Sequence, residues 1–572
     1  MKYSDKLGSL TSKFTTRLTS AHYSDPRNIS RNNLGITLAI LGIIFFIGIA
    51  SALPFKDRLF SQLFKKPSSL AVSSTDWPQL QHDSQHTGST SVTVNPPFTP
   101  TPFKWRWLDG VGKVTSAYPN SSSVPAGYAI SGMAQPIIAE GKVFIGSGTG
   151  HINAINATTG DTLWRVQLST FPIMHTLAYD NSTGNGIVYA ASADHKIYAL
   201  SAANGNTLYT YQTNGAIEGA VAVYSSGGST YILIGSSDGN LYAFQPDLTL
   251  RWKSPVDGPI LSTPAVGDVD GTTKIFVGAE DMYAYSFDLN GNRLWKSPQR
   301  LNGVSFRQYW PVISQLNNLV FFSTQAPYGS SGDSTLNYES FLDCLKANNI
   351  GGDSEMNAIL NGYPTCTQFS GLNNNPAYKS VFALNSADGV QPFQVPITSF
   401  KTNGNTHISP IIGQDGTIYN LYHVWDQTVY KGQSFDTNYG PDISIMNPTN
   451  GYRIPIAVDN PIFTISVQAD NVHSLSMGGS TILSLHYYFY MHYINLTREH
   501  VNGRPDADLF WLVTDRNGWI PNYSWYMSEA PSEFPPSARD ELNGENAASV
   551  GPGNIIYING AGGMVTAIQA GP

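Results

Sequence analysis

Charge is scarce in this chain. Asp, Glu, Lys and Arg make up 13% of its 572 residues, about half the share usual for a globular domain. The balance is a net charge of −8, so nothing suggests the basic surface that nucleic-acid binding needs. Cysteine is scarcer still. The two residues, Cys344 and Cys366, are too few for a disulfide scaffold, and neither sits in the Cys-x-x-Cys-His run that attaches haem. No Ser/His/Asp triad or pair of carboxylates can be argued from spacing. What is plentiful is glycine, with 53 residues, and aromatic side chains, at 12%. That composition suits a β-rich surface protein outside the cytoplasm.

One long apolar run stands apart. Residues 34–55 carry no charge, and 22 residues at ~1.5 Å each span a bilayer core of ~30 Å. The leader before it, residues 1–33, holds Lys2, Lys6, Lys13, Arg17, Arg27 and Arg31 against Asp5 and Asp25. This positive excess favours a cytoplasmic leader, although Lys56, Arg58, Lys65 and Lys66 weaken the bias. The expectation is a single-pass anchor at 34–55, a linker at 56–75 and an extracytoplasmic domain from 76 to 572. A cleaved signal peptide is the competing reading, since Ala50-Ser51-Ala52 has the small-x-small form of a cleavage site. The leader and the apolar run are both long for that. Either way the domain faces outward.

The domain is repetitive. Residues 136–168 read PIIAEGKVFIGSGTGHINAINATTGDTLWRVQL. Short β-branched and aromatic runs alternate there with glycine turns, as in an antiparallel meander. Residues 194–213, 237–254 and 280–297 repeat the end of the unit. The aromatic near each end falls at Trp164, Tyr209, Trp252 and Trp295, with steps of 45, 43 and 43. A period of ~40–45 residues with four strands per unit predicts a β-propeller. These aromatics, with Trp105, are expected to pack blade on blade.

Tyr198-Ala199-Leu200, Tyr242-Ala243-Phe244 and Gly160-Asp161-Thr162-Leu163-Trp164 resemble the pyrroloquinoline-quinone-like (PQQ-like) repeat. That family holds both quinoprotein alcohol dehydrogenases and a non-enzymatic lipoprotein that assembles outer-membrane barrels. The resemblance covers most of 76–572 and implies the fold far more strongly than the activity. There is no lipobox cysteine, which separates this chain from the lipoprotein. The resemblance lies nearer the non-enzymatic type than the dehydrogenases.

Taken in order, residues 77–88 (WPQLQHDSQHTG) look like the family's opening signature and read as a cap over one end of the propeller. Phe103-Lys104-Trp105-Arg106-Trp107 looks like a fourth strand with no first three before it. The carboxyl end, at 547–550, 555–559 and 564–569, looks like three strands with no fourth. The two ends complement each other and predict one blade built from both termini, which removes exposed edges. Blades one to four are expected at 133–168, 173–213, 215–255 and 258–298. Blade five is interrupted by an insertion at about 325–377. Blade six runs over 407–458 and a degenerate blade seven over 462–516. The expected fold is all-β, an eight-bladed propeller of four-stranded antiparallel blades behind one transmembrane helix.

Five features stand out as candidate sites. His82 and His86 flank Asp83, but Pro78 and the Thr-Gly ending argue for a loop rather than the helical face a metal site would need. Gly267-Asp268-Val269-Asp270-Gly271 opens like a calcium loop. Thr272-Thr273-Lys274 then replaces the later acidic ligand, which favours a plain turn. Residues 485–493, read as one strand, would send His486, Tyr488, Tyr490 and His492 to one face; that is either a ligand platform or blade packing, and packing is favoured. Cys344 and Cys366 lie in the insertion, where a disulfide is expected outside the cytoplasm. Finally, Asn120, Asn156, Asn181, Asn495 and Asn522 fit the N-glycosylation pattern.

No catalytic residue, metal site or cofactor is assigned. The expected function is a membrane-tethered binding or assembly scaffold at the cell envelope, with other envelope proteins or glycans as partners. Quinone-dependent dehydrogenation with pyrroloquinoline quinone and calcium is the enzymatic alternative, and a polysaccharide-binding envelope protein is another.

Overall fold

The computed structural model describes residues 76–94, 103–114, 134–324, 380–395, 409–458, 472–513 and 548–570, less a few positions within those spans. All of them belong to one compact unit, Ser69–Pro572. The expected anchor at 34–55, the linker, both cysteines and the 325–377 insertion lie outside the described residues, as do Asn120 and Asn522. Among the described residues no helix is long and apolar enough to cross a membrane.

The protein is an all-β propeller. Apart from a separate hairpin (Gln427–Tyr430 with Gln433–Asp436), the described strands form eight sheets of three or more strands. The first sheet is typical, with Ile137–Ala139, Lys142–Gly146, His151–Asn156 and Thr162–Gln167 lying side by side in chain order, each antiparallel to the next. The first turn is set by Glu140 and Gly141, both at positive φ (52° and 68°), the geometry that a tight two-residue hairpin demands. Burial falls outward along the order. Ile137–Ala139 is wholly buried, whereas Thr162–Gln167 alternates exposed and half-buried residues. The first strand is therefore innermost and the fourth forms the rim.

The second sheet repeats this at Ala178–Asp180, Ile187–Ala191, Lys196–Ser201 and Thr207–Gln212, and the third at Ala222–Ser226, Ser229–Gly235, Asn240–Phe244 and Leu250–Pro255. The fourth has Ala265–Val269, Thr272–Ala279, Tyr283–Phe287 and Arg293–Lys296. The fifth has three described strands, Val312–Ser314, Leu319–Ser323 and Val381–Asn385, so the chain rejoins its sheet after the insertion. The sixth is built from Ile411–Ile412, Ile418–Val424, Gly440–Met446 and Arg453–Ile454.

The seventh sheet departs from expectation. Residues 485–493 do not make one strand. Thr481–His486 and Tyr490–Val501 pair antiparallel, with Leu485 opposite Met491, so the aromatic run is divided between two strands. Hairpin pairing satisfies the backbone groups of both arms, which a single strand would leave to other partners.

Both termini meet in the closing sheet, as their complementarity predicts. Phe103–Leu108 pairs antiparallel with Met564–Gln569, with Trp107 opposite Val565. Ser549–Gly551 and Ile555–Gly560 complete the inner side, and a short strand, Gly112–Val114, adds a fifth at the rim.

A sheet buried on both faces needs a neighbour on each side, and the core is divided accordingly. Trp107, Ile145, Val550 and Ile568 pack between the closing and first sheets. Phe144, Ile152, Val188 and Leu200 pack between the first and second. Similar clusters join the second to the third, third to fourth, fourth to fifth and fifth to sixth. Innermost strands of the sixth and seventh sheets also touch, as do those of the seventh and closing sheets.

Candidate functional site: the axial segment

Residues 76–90 are not a cap over the ring. They thread along its innermost strands and bond to seven sheets in order. Trp77 and Ile138 exchange N–H···O bonds of 2.9 and 2.8 Å in the first sheet. Tyr179 N in the second donates to Pro78 O at 2.8 Å. Gln79 clamps the third with its side chain, accepting from Val223 N at 2.9 Å and donating to Val223 O at 3.1 Å. Val266, Ile313 and Ile412 then donate to Ser84 O, Gln85 O and Thr87 O in the fourth, fifth and sixth sheets. Met477 N of the seventh donates to Gly88 O at 2.7 Å, and Ser89–Thr90 runs parallel to this strand.

The winding course has a local cause. Gln81, His82 and His86 sit at positive φ (52°, 75° and 56°), a region that non-glycine side chains seldom occupy. Asp83 holds the turn. Its carboxylate accepts from Gln85 N and Thr87 N at 3.0 Å, and from the Thr87 hydroxyl. Partial burial opposes its ionisation, but the hydrogen bonds and positive charge of neighbouring His82, with those of Thr87, prevail and hold its pKa below the usual carboxylate value.

His86 is buried, and burial depresses its pKa to about 4, against the opposing pull of Pro311 O and Asp83. The ring is therefore neutral at pH 7. Its Nδ1 lies 2.9 Å from Pro311 O and donates to it, because a carbonyl can only accept. His86 is thus no base near pH 7, and the Asp83 carboxylate is taken up by its own turn. Among the described residues no group of three or more His, Cys, Asp or Glu side chains is placed to hold a metal. The 267–271 loop is a tight turn with Asp270 and Gly271 at positive φ. Asp268 accepts from Tyr224 in the preceding sheet, whereas Asp270 binds Lys274 and accepts from Ser386 of the following one.

Contact between sheets follows one device. The rim tryptophans of the closing, first, third and fourth sheets each donate the indole N–H to a turn carbonyl of the next sheet and press the ring on a glycine there. Trp105 reaches Ala157 O, Trp164 Ala202 O, Trp252 Leu289 O and Trp295 Ser386 O. A β-carbon on Gly160, Gly205, Gly291 or Gly389 would stand 2.6–2.7 Å from those rings. Tyr209 breaks the series and is 44% exposed. The reason lies in the next sheet, where Leu248, at φ +59°, occupies the turn position that Gly291 fills one repeat later. Leu248 buries its own side chain. Tyr211, two residues on, supplies the aromatic contact instead, 4.8 Å from Phe244.

Sequence reasoning missed three contributors. Phe393, in the irregular end of the fifth sheet, presses on Gly451 as the tryptophans do on theirs; a Phe in place of Trp hid it. The hydroxyls of Tyr198, Tyr242 and Tyr285 donate to Asp194, Asp238 and Asp281, four residues earlier. The recurrent Asp-x-x-x-Tyr spacing could have found them. Gln79 carries no such signal.

Residues 120–275 match the family model described as "Outer membrane protein assembly factor BamB", so the PQQ-like repeat is present. In structure the chain is similar to BamB from Moraxella catarrhalis, at 13% identity and a TM-score of 0.35, over 84% of this chain and 99% of that one. It is also similar to the computationally designed Ika8 protein, at 11% identity and a TM-score of 0.43, over 77% of this chain and 96% of that one. No curated protein matches the sequence.

Proposed function

We propose that this protein is an eight-bladed, membrane-anchored propeller that serves as a binding or assembly scaffold outside the cytoplasm, with envelope proteins or glycans as partners. Each of the eight sheets is read as one blade. The observation that carries the reading is the axial segment. Residues 76–90 line the innermost strands, where the quinoprotein relatives of the repeat hold their cofactor. The Asp83 carboxylate is committed to the segment's own turn, and His86 Nδ1 to the Pro311 carbonyl. A quinone with calcium would need several free oxygen ligands and a base near neutral pH; Asp83, taken up by its turn, and His86, with its depressed pKa, supply neither. A rigid ring with variable connections is instead a binding scaffold. The family description of the matched model, an assembly factor, points the same way. The apolar run at 34–55 and its basic leader support the tether.

Two measurements test this. Protease added to intact cells should digest the propeller and spare a tag at residue 1; a protected propeller overturns the outward placement. Full-length protein mixed with pyrroloquinoline quinone and calcium should give neither a bound-cofactor spectrum nor dye reduction with alcohols or sugars. Stoichiometric binding with turnover would move the protein into the enzyme class.

A further inference from the structure

We propose that Asn181 is an N-glycosylation acceptor and that the fold selects it over Asn156. These are the two Asn-x-Ser/Thr sites whose side chains the structure describes. The proposal rests on the outward placement argued above.

The two sites differ in what the chain does with them. Asn181 lies in the hairpin between Ala178–Asp180 and Ile187–Ala191. Asn181 and Thr183 are exposed and Ser182 is half-buried. The turn is closed by its own groups: Gly184 N donates to Asn181 O, and Ser182 donates to the Asp180 carboxylate through both N–H and hydroxyl. The Asn181 amide takes no part in this. The Thr183 hydroxyl makes only a long, exposed bond of 3.2 Å to Asn185 O. Space around the tip is open, since a β-carbon on Gly184 would meet nothing within 4 Å. A transferase can therefore reach the tripeptide without unfolding a sheet.

Asn156 is held. Its side-chain oxygen accepts from Thr158 N and Thr159 N at 2.9 and 3.0 Å. The middle residue of its tripeptide, Ala157, is buried. The Ala157 carbonyl accepts from Trp105 Nε1 at 2.9 Å and from the Tyr557 hydroxyl at 3.1 Å. The turn ends at Gly160, under the Trp105 ring. Drawing this tripeptide into an active site would break the contact between the closing and first sheets.

The donor is an oligosaccharide on a polyprenyl phosphate or pyrophosphate. The Asn181 amide nitrogen bonds to C1 of its first sugar and the C1–O bond to phosphate breaks. The lipid phosphate leaves with that electron pair, and one amide proton passes to a base of the transferase. No oxidation or reduction is involved.

The test uses the full-length chain with a carboxyl-terminal tag that contains an efficient acceptor tripeptide, made in a host that N-glycosylates exported proteins. Occupancy of the tag reports delivery of the propeller, and peptide mapping reports each site. The expected result is a glycan on Asn181 and none on Asn156. N181Q and T183A each abolish it, T183S restores it, and N156Q leaves it unchanged. An unmodified Asn181 on chains with an occupied tag overturns the proposal alone, as does occupancy of Asn156 equal to that of Asn181. An unoccupied tag overturns the outward placement and the proposal with it.

Discussion

Trp105 occupies the space that a side chain at Gly160 would need. A β-carbon built there would stand 2.6 Å from the ring, and the indole N–H donates to Ala157 O in the same turn. Trp105 belongs to the strand that closes the ring and Gly160 to the first complete sheet, so the contact binds the seam where both termini meet. The same pairing recurs around the ring, and it yields a controlled comparison.

Gly160 and Gly184 have nearly equal φ, 76° and 77°, yet one faces Trp105 and the other open space. Gly184→Ala should cost only the backbone term, about 1 kcal/mol. Gly160→Ala should cost roughly 2 kcal/mol more, because the ring cannot retreat without strain. Urea midpoints of the two variants check this; equal losses would mean that Trp105 yields freely.

Tyr209 and Leu248 form the one described pair that departs from the aromatic–glycine device. Tyr209→Trp alone should leave an exposed indole, and Leu248→Gly alone should open a gap in the core. Together they rebuild the arrangement of Trp252 with Gly291, so the pair should be coupled favourably by about 1 kcal/mol in a double-mutant cycle. Strict additivity would reject the explanation given for Tyr209.

Gln79 supplies both bonds to the Val223 backbone. Gln79→Ala would strand a buried N–H and a buried C=O, at a cost of about 3 kcal/mol in total. Hydrogen exchange should quicken first at Val223 and its strand. An unchanged melting temperature would mean that the axial segment is not part of the ring's stability.

His86 makes stability depend on pH. Its pKa falls from 6.5 to about 4 on folding, so the unfolded chain binds the extra proton between those values. Its contribution is complete above pH 6.5 and is lost as pH drops toward 4, by about 3 kcal/mol across the window. Asp83, also depressed, loses its contribution only below the ordinary carboxylate range. His86→Asn keeps a donor for Pro311 O and should flatten the melting-temperature profile between pH 6.5 and 4. A slope that survives this substitution would place its origin elsewhere.

The repeat was legible in the sequence because its causes are local. Alternating apolar residues, glycine at left-handed turn positions and an aromatic every 43–45 residues each act within one sheet or upon the next. The unmatched strands at the two termini could likewise be paired on paper, since an incomplete blade leaves an edge that must be covered. Tertiary structure decided the rest. Residues 76–90 bond mostly through main-chain groups to partners as distant as Met477, and a carbonyl carries no mark of its partner in the side-chain pattern. The division of 485–493 between two strands depended on backbone pairing that its aromatic composition does not encode. Whether Tyr209 could dock was settled by Leu248 in the neighbouring sheet, because only there does a β-carbon stand where the ring would lie.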